Sequence, residues 1–131
     1  MKKTFLPLLL LLALVAFQGC KSFKLPFGKE LRLTQMLGQT VPAAAGIAFK
    51  FDEAEKKITG KAGCNNFSAP YKLKGSKLSF GEAMATKMTC PNQDWENKFF
   101  SMLSQVKSVK QVGNKLQLLG DGGKTLAALS E

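Results

Sequence analysis

The chain has 131 residues, enough for one domain of ordinary size and too few for two. It carries 19 lysine and arginine residues against 9 acidic residues, a formal net charge of +10, which favours anionic over cationic partners. It contains no histidine, and this removes the commonest general base and the commonest zinc or copper ligand.

The N-terminal residues have the layout of an export signal. Lys2 and Lys3 make a positive start, and an apolar run over residues 8–17 follows. Ten apolar residues rise only about 15 Å as a helix, roughly half the thickness of a bilayer core. We therefore predict a signal peptide over residues 1–19 and no transmembrane span. The alternative is a buried N-terminal helix, but the leucine run offers no polar face to the solvent.

Residues 17–20, Phe-Gln-Gly-Cys, resemble a bacterial lipobox, in which a small residue precedes a cysteine that receives diacylglycerol before cleavage. The resemblance implies that Cys20 is lipidated and becomes the mature N-terminus. Several acyl chains anchor a protein firmly where one does not. Lys21 follows, and the aspartate that serves as an inner-membrane retention signal is missing. We therefore expect a lipid-anchored protein of the cell envelope, at the outer membrane and facing the periplasm.

Cleavage also changes the charge and the expected partners. Without Lys2 and Lys3 the mature chain keeps 17 basic residues against 9 acidic ones, a net charge near +8. We expect contact with the membrane through the lipid anchor, a protein or lipid partner in the envelope, and no nucleic acid. The alternative is that the scattered lysines are simply a solvated surface. Residues 20–29, basic and containing Pro26 and Gly28, are predicted to be a tether.

Apolar and polar residues alternate through much of the chain after Glu30, which predicts short antiparallel strands. Ile47, Phe49 and Phe51 are separated by Ala48 and Lys50, a pattern typical of a half-buried strand. The segment Lys-Gly-Ser-Lys at 74–77 lies between apolar positions and predicts a hairpin. Further strands are predicted at residues 31–33, 58–62, 109–112, 116–118 and 125–129.

The period changes from two to between three and four after Pro91. Apolar residues at helical spacing then predict a helix that packs on the core: Trp95, Phe99, Met102, Leu103 and Val106. We therefore predict an α+β domain over residues 30–131. It is a small antiparallel sheet or partly open barrel of about seven to eight strands with one helix packed on it.

Cys64 and Cys90 are the cysteines left after the lipid anchor, and they lie 26 positions apart. In an exported domain such a pair is predicted to form a disulfide. Closing this loop would stabilise the fold by about 3.5 kcal/mol on the chain-entropy model. The alternative is a redox or ligand-binding thiol, for which no neighbouring arginine or histidine is apparent. Two cysteines alone make a poor metal site, and no metal or cofactor is predicted.

Asn65 follows Cys64 where the strand pattern stops, so we place it in a loop. A short amide side chain can bond nearby backbone, and we interpret Asn65 as a loop fastener opposite residues 86–91. The alternative is a ligand site lined by Asn65 and Asn66, with Lys87 supplying charge. No acidic pair, phosphate-binding loop or activated nucleophile is apparent, so no catalytic residue is predicted and we expect no enzyme.

Four segments of the chain together resemble the META domain, the HslJ-like domain of bacterial lipoproteins. They are GCNNFS at 63–68, the hairpin at 71–80, TKMTCP at 86–91 and GGKTL at 122–126. The resemblance implies a small β-rich domain with one helix, similar to lipid-binding secretin pilots of the MxiM type, and no catalytic mechanism. We expect a non-enzymatic envelope lipoprotein that binds a partner or serves in envelope stress. The alternative is a pilot-like protein that holds a lipid tail or a helix and assists outer-membrane assembly.

Overall fold

The computed structural model describes residues 23–131. The predicted signal peptide and Cys20 lie outside the described residues. The described part contains ten strands, one helix and two short 3-10 segments, at Ala43–Ala45 and Asp121–Gly123. The strands are β1 Leu31–Met36, β2 Gln39–Thr40, β3 Ile47–Asp52, β4 Lys57–Ala62, β5 Asn65–Lys74, β6 Lys77–Phe80, β7 Met84–Ala85, β8 Ser108–Val112, β9 Lys115–Leu119 and β10 Thr125–Ser130; the helix is α1 Gln93–Leu103.

The alternating pattern places one face of each long strand in the core. In β3, Ile47, Phe49 and Phe51 are buried, whereas Lys50 faces solvent. The β5–β6 hairpin forms as predicted around Gly75, whose positive φ suits a tight turn. The local sequence signals therefore correspond to real strands.

The sheet curves into a partly closed ring. Its strands pair antiparallel in the order β10, β9, β8, β6, β5, β4, β3, β1, and β1 pairs back onto β10. The weakest join is between β6 and β8, where Lys77 and Ser108 are the one paired position. This architecture confirms the predicted α+β fold with a small antiparallel barrel and one helix. The count of ten strands includes two of only two residues each, β2 and β7.

Helix α1 packs directly on the barrel core. The Phe99 ring lies 5.2 Å from the Phe67 ring and 5.9 Å from the Phe49 ring, centroid to centroid. Met102 and Leu103 are also buried, and Val106 is buried beyond the end of the helix, which is therefore shorter than the predicted apolar stripe. Aromatic and aliphatic side chains therefore fill the space beneath the helix, as is usual for an apolar helical stripe.

The segment before β1 packs against the barrel. Leu25 is 2% exposed and belongs to the core, and Phe23 and Phe27 pack against it. The amide of Gly28 donates to the carbonyl of Phe51 at 3.0 Å, and Lys29 pairs with Glu131 at 2.9 Å. The packed domain therefore begins before Glu30, and the described part of the predicted tether, residues 23–29, lies on the domain.

These contacts define one end of the barrel, which we call the tether end. Residues 28–30 enter here, and the chain leaves β10 here at Glu131. The antiparallel register brings the turns 53–56, 75–76 and 113–114 to the same end. Tyr71 closes part of it by donating its hydroxyl to the carbonyl of Asp52 at 3.0 Å. Burial, and then the nearby carboxylates of Glu53 and Asp52, raise the pKa of Tyr71 above its usual 10.0.

Candidate functional site

The two cysteine motifs meet at the opposite end of the barrel. Gly63 and Cys64 make a two-residue turn between β4 and β5, and Gly63 has a φ of 68°, which favours glycine. Asn65 then begins β5 and pairs with Ala62. The prediction that Asn65 lies in a loop is therefore wrong, because the strand pattern is interrupted for only two residues. In the structure Cys64 is disulfide-bonded to Cys90, with the Cα atoms 5.8 Å apart.

Asn65 is the centre of a buried polar network and is 1% exposed. Its Oδ1 accepts from the amide of Met88 at 2.8 Å and from the hydroxyl of Thr86 at 2.9 Å. Its Nδ2 donates to the carbonyl of Met88 at 3.0 Å and to the carboxylate of Glu96 at 2.9 Å. One amide therefore connects the start of β5 to the 86–90 segment and to α1.

Glu96 lies in the first half of α1 and is 5% exposed. The Glu96 carboxylate has a second donor besides Asn65, the Nε2 of Gln93, at 2.8 Å. The Oε1 of Gln93 in turn accepts from the amide of Cys90 at 3.1 Å. Within residues 23–131, no buried side-chain nitrogen or oxygen lacks a hydrogen-bond partner. A fully satisfied buried network of this kind stabilises one packing arrangement and leaves no open group for a ligand.

The other two predicted site residues point elsewhere. Asn66 and Lys87 face solvent, and the backbone of Asn66 bonds Thr86 through both its amide and its carbonyl. The buried amide and the two exposed side chains therefore do not line one site. Sequence reasoning missed Thr86, Gln93 and Glu96 as members of the network. A signal existed for Glu96, because it lies three residues before Phe99 on the buried face of the helix.

An open groove of about 480 Å³ lies on the outer face of β1, β3 and β4. The strand register places Ala48 between Arg32 and Lys61 on neighbouring strands, and Lys50 opposite Thr59. These side chains point out of the barrel, because the alternate positions of β3 are buried. Pro42 and Ala43, before β3, and the acidic Glu30, before β1, also line the groove.

The groove carries a net positive charge, because Arg32, Lys50 and Lys61 stand against the single carboxylate of Glu30. The guanidinium of Arg32 approaches the carboxylate of Glu30 only at 4.0 Å, and both side chains are more than two-thirds exposed. Lys50 and Lys61 belong to none of the ion pairs within the described residues. Three cations around a small apolar floor can hold a carboxylate or a phosphate group.

The groove depends on a close approach between β3 and β4. A Cβ on Gly60 would collide with the carbonyl oxygen of Ala48 and the Cα of Phe49. Only glycine permits this spacing. The floor of the groove is therefore fixed by backbone packing.

Two further properties bear on the class of protein. In residues 23–131, no three or more histidine, cysteine or acidic side chains cluster as they would around a metal ion. Nor does any helix in that part of the chain reach the length and apolarity needed to cross a membrane.

These features define a small antiparallel β-barrel domain with one helix, a disulfide beside a buried polar network, and a basic outer groove. The profile of the META domain matches residues 24–131. The chain belongs to the META domain family. A search among curated proteins finds no match.

Three solved structures share the fold. One is an NMR structure of a protein from Burkholderia xenovorans, 28% identical, with a TM-score of 0.61, covering 78% of this chain and 81% of that one. A second NMR structure is 26% identical, with a TM-score of 0.57, and covers 76% of this chain and 86% of the other. A crystal structure of a DUF4847 family protein from Bacteroides vulgatus is 20% identical, with a TM-score of 0.53, and covers 66% of this chain and 59% of that one. At this identity the likeness is one of fold alone.

Proposed function

We propose that this protein is a non-catalytic envelope lipoprotein that uses its META domain to bind an anionic partner. The observation that carries the proposal is the basic groove formed by Arg32, Lys50 and Lys61 on the outer face of the barrel. Cations beside a small apolar surface can recognise an anionic group on a partner. The partner is then an acidic protein segment in the envelope, at the outer membrane and on the periplasmic side.

The lipobox-like residues 17–20 support the anchoring part of the proposal. The packed domain includes Phe23, so only three residue steps separate it from Cys20. Three steps span at most about 10 Å of extended chain. A lipid on Cys20 would therefore hold the domain close to the bilayer surface, with little freedom to swing away from it.

Replacing Cys20 with alanine should leave the protein uncleaved or soluble, because the acyl chains and the processing site are lost together. Cell fractionation and the mass of the isolated protein measure this. A Ser22→Ala variant is the matched control, because it changes a residue close to Cys20 and leaves the lipobox and the disulfide intact. A Cys20→Ala protein that still fractionates as a processed membrane lipoprotein would disprove the anchor.

Reversing Lys50 and Lys61 to glutamate should weaken partner capture on the order of tenfold, because two attractive contacts become repulsive. Crosslinking in intact cells and mass spectrometry of the captured proteins measure the change. Lys87→Glu with Lys98→Glu is the matched control, since both lysines are exposed and lie outside the groove. Equal capture by the two double variants would rule out the groove as the binding site.

The alternative, a pilot-like protein that holds a lipid tail or a helix, has support from a second cavity. A space of about 360 Å³ lies beside α1, lined by Ala83, Ala85, Phe100 and Leu103 among others. It is at the edge of the helix, because the Phe99 ring occupies the space directly beneath it. Native mass spectrometry of the isolated protein separates the two proposals. A copurifying lipid that is displaced by Ala85→Trp would favour the pilot-like function.

A further inference from the structure

Two neighbouring parts of the barrel carry lysines and no acidic residue. Residues 71–80, the β5–β6 hairpin, contain three lysines, and residues 107–119, which form β8 and β9, contain three more. Neither segment contains aspartate or glutamate. All six side chains are exposed. We call this set the lysine face: Lys72, Lys74, Lys77, Lys107, Lys110 and Lys115.

The strand register brings these charges together, and none of them is in an ion pair within the described residues. Lys74 lies directly opposite Lys77 in the β5–β6 pair, and Lys77 is also paired with Ser108 at the start of β8. Like charges opposite each other on a sheet face are destabilising. No ion pair within the described residues includes a lysine of this face. An anionic partner would convert this repulsion into attraction.

An exposed apolar residue stands among the same lysines. Val112 is 47% exposed at the tip of the β8–β9 hairpin, next to the Gly113–Asn114 turn. Lys110 precedes it and Lys115 follows it. An apolar tip flanked by cations suits the boundary between lipid head groups and acyl chains.

The lysine face also lies where an anchored protein would meet its membrane. The turns 75–76 and 113–114 belong to the tether end of the barrel, where residues 28–30 enter. In the ring order, β6 and β8 lie across the barrel from β3 and β1. A membrane at the lysine face would therefore leave the basic groove directed away from the bilayer.

We propose that the lysine face docks on anionic lipid head groups of the membrane that holds the anchor, with Val112 at the interface. This inference rests on the proposed lipidation of Cys20, and it assigns the anchored domain a fixed orientation. Each lysine near an anionic surface contributes attraction equivalent to about a fivefold change in an equilibrium constant. The attraction is screened by salt.

The test uses the lipidated protein in vesicles of phosphatidylcholine alone or of phosphatidylcholine with phosphatidylglycerol. An amine-reactive reagent labels accessible lysines, and mass spectrometry gives the rate for each one. Lys74, Lys77 and Lys110 should react about fivefold more slowly on the anionic vesicles, and high salt should abolish the difference. Lys50 and Lys61 in the groove should react at the same rate on both.

A variant set completes the design. Lys74→Gln, Lys77→Gln and Lys110→Gln together should remove the protection of Lys107 and Lys115. The matched triple variant at Lys87, Lys98 and Lys124 should retain it. Three results would each overturn membrane docking. The lysine face could be labelled at the same rate on both kinds of vesicle, or the groove lysines could be slowed equally. Protection could also require an added envelope protein. Absence of the lipid on Cys20 is detected separately, from the mass of the purified protein before vesicles are made.

Discussion

Replacing Asn65 with alanine should lower the free energy of unfolding by about 3 kcal/mol and the melting temperature by about 10 °C. The substitution removes the acceptor for the Met88 amide and one donor to Glu96, whose carboxylate stays buried. A buried carboxylate that loses a donor is especially costly, because the desolvation penalty is no longer offset. Thermal and urea unfolding followed by circular dichroism measure the loss.

Three further variants sharpen this test. Asn66→Ala and Lys87→Ala should change the unfolding free energy by less than about 0.5 kcal/mol, because both side chains face solvent. Asn65→Asp keeps the shape and the acceptor but places a second carboxylate against Glu96, so it should destabilise at neutral pH at least as much as alanine. An Asn65→Ala protein that melts like its parent yet loses partner or lipid binding would make this region the binding site.

Removing the disulfide should cost about 3.5 kcal/mol, because the bond between Cys64 and Cys90 closes a loop across 26 positions. A Cys64→Ala, Cys90→Ala double variant should unfold at correspondingly lower urea concentration. The unsubstituted protein under reducing conditions should show the same loss of stability. The loss is large because the bond holds the 86–90 segment against β5, where the Asn65 network forms.

Thiol chemistry tests the bond independently of stability. Alkylation of the mature protein without reductant should modify neither cysteine, although Cys64 is exposed. With reductant and denaturant, both should react. Two thiols that alkylate in freshly isolated native protein would disprove the disulfide. The double variant combined with Asn65→Ala should show less than the sum of the two losses, because both act on the same segment.

The predicted elements with strong local signals are present, and the error at Asn65 lies at the boundary between two elements. The alternation of Ile47, Phe49 and Phe51 and the helical spacing of Phe99 and Met102 each specify a buried face within one element. The interruption at Gly63 was predicted as a loop although it spans only two residues. Periodicity cannot distinguish a short turn from a longer loop when polar residues begin the next strand.

The sequence by itself determined most of the longer strands, the β5–β6 hairpin and the helix, because each follows from residues close together in the chain, and four motifs spread along the chain indicated the family. Only the tertiary structure decided the closure of β1 on β10, the burial of Glu96 and the packing of Leu25. The basic groove and the lysine face likewise depend on which strands become neighbours. These features join residues far apart in sequence, and the free energy that selects them comes from burial and register in the assembled barrel.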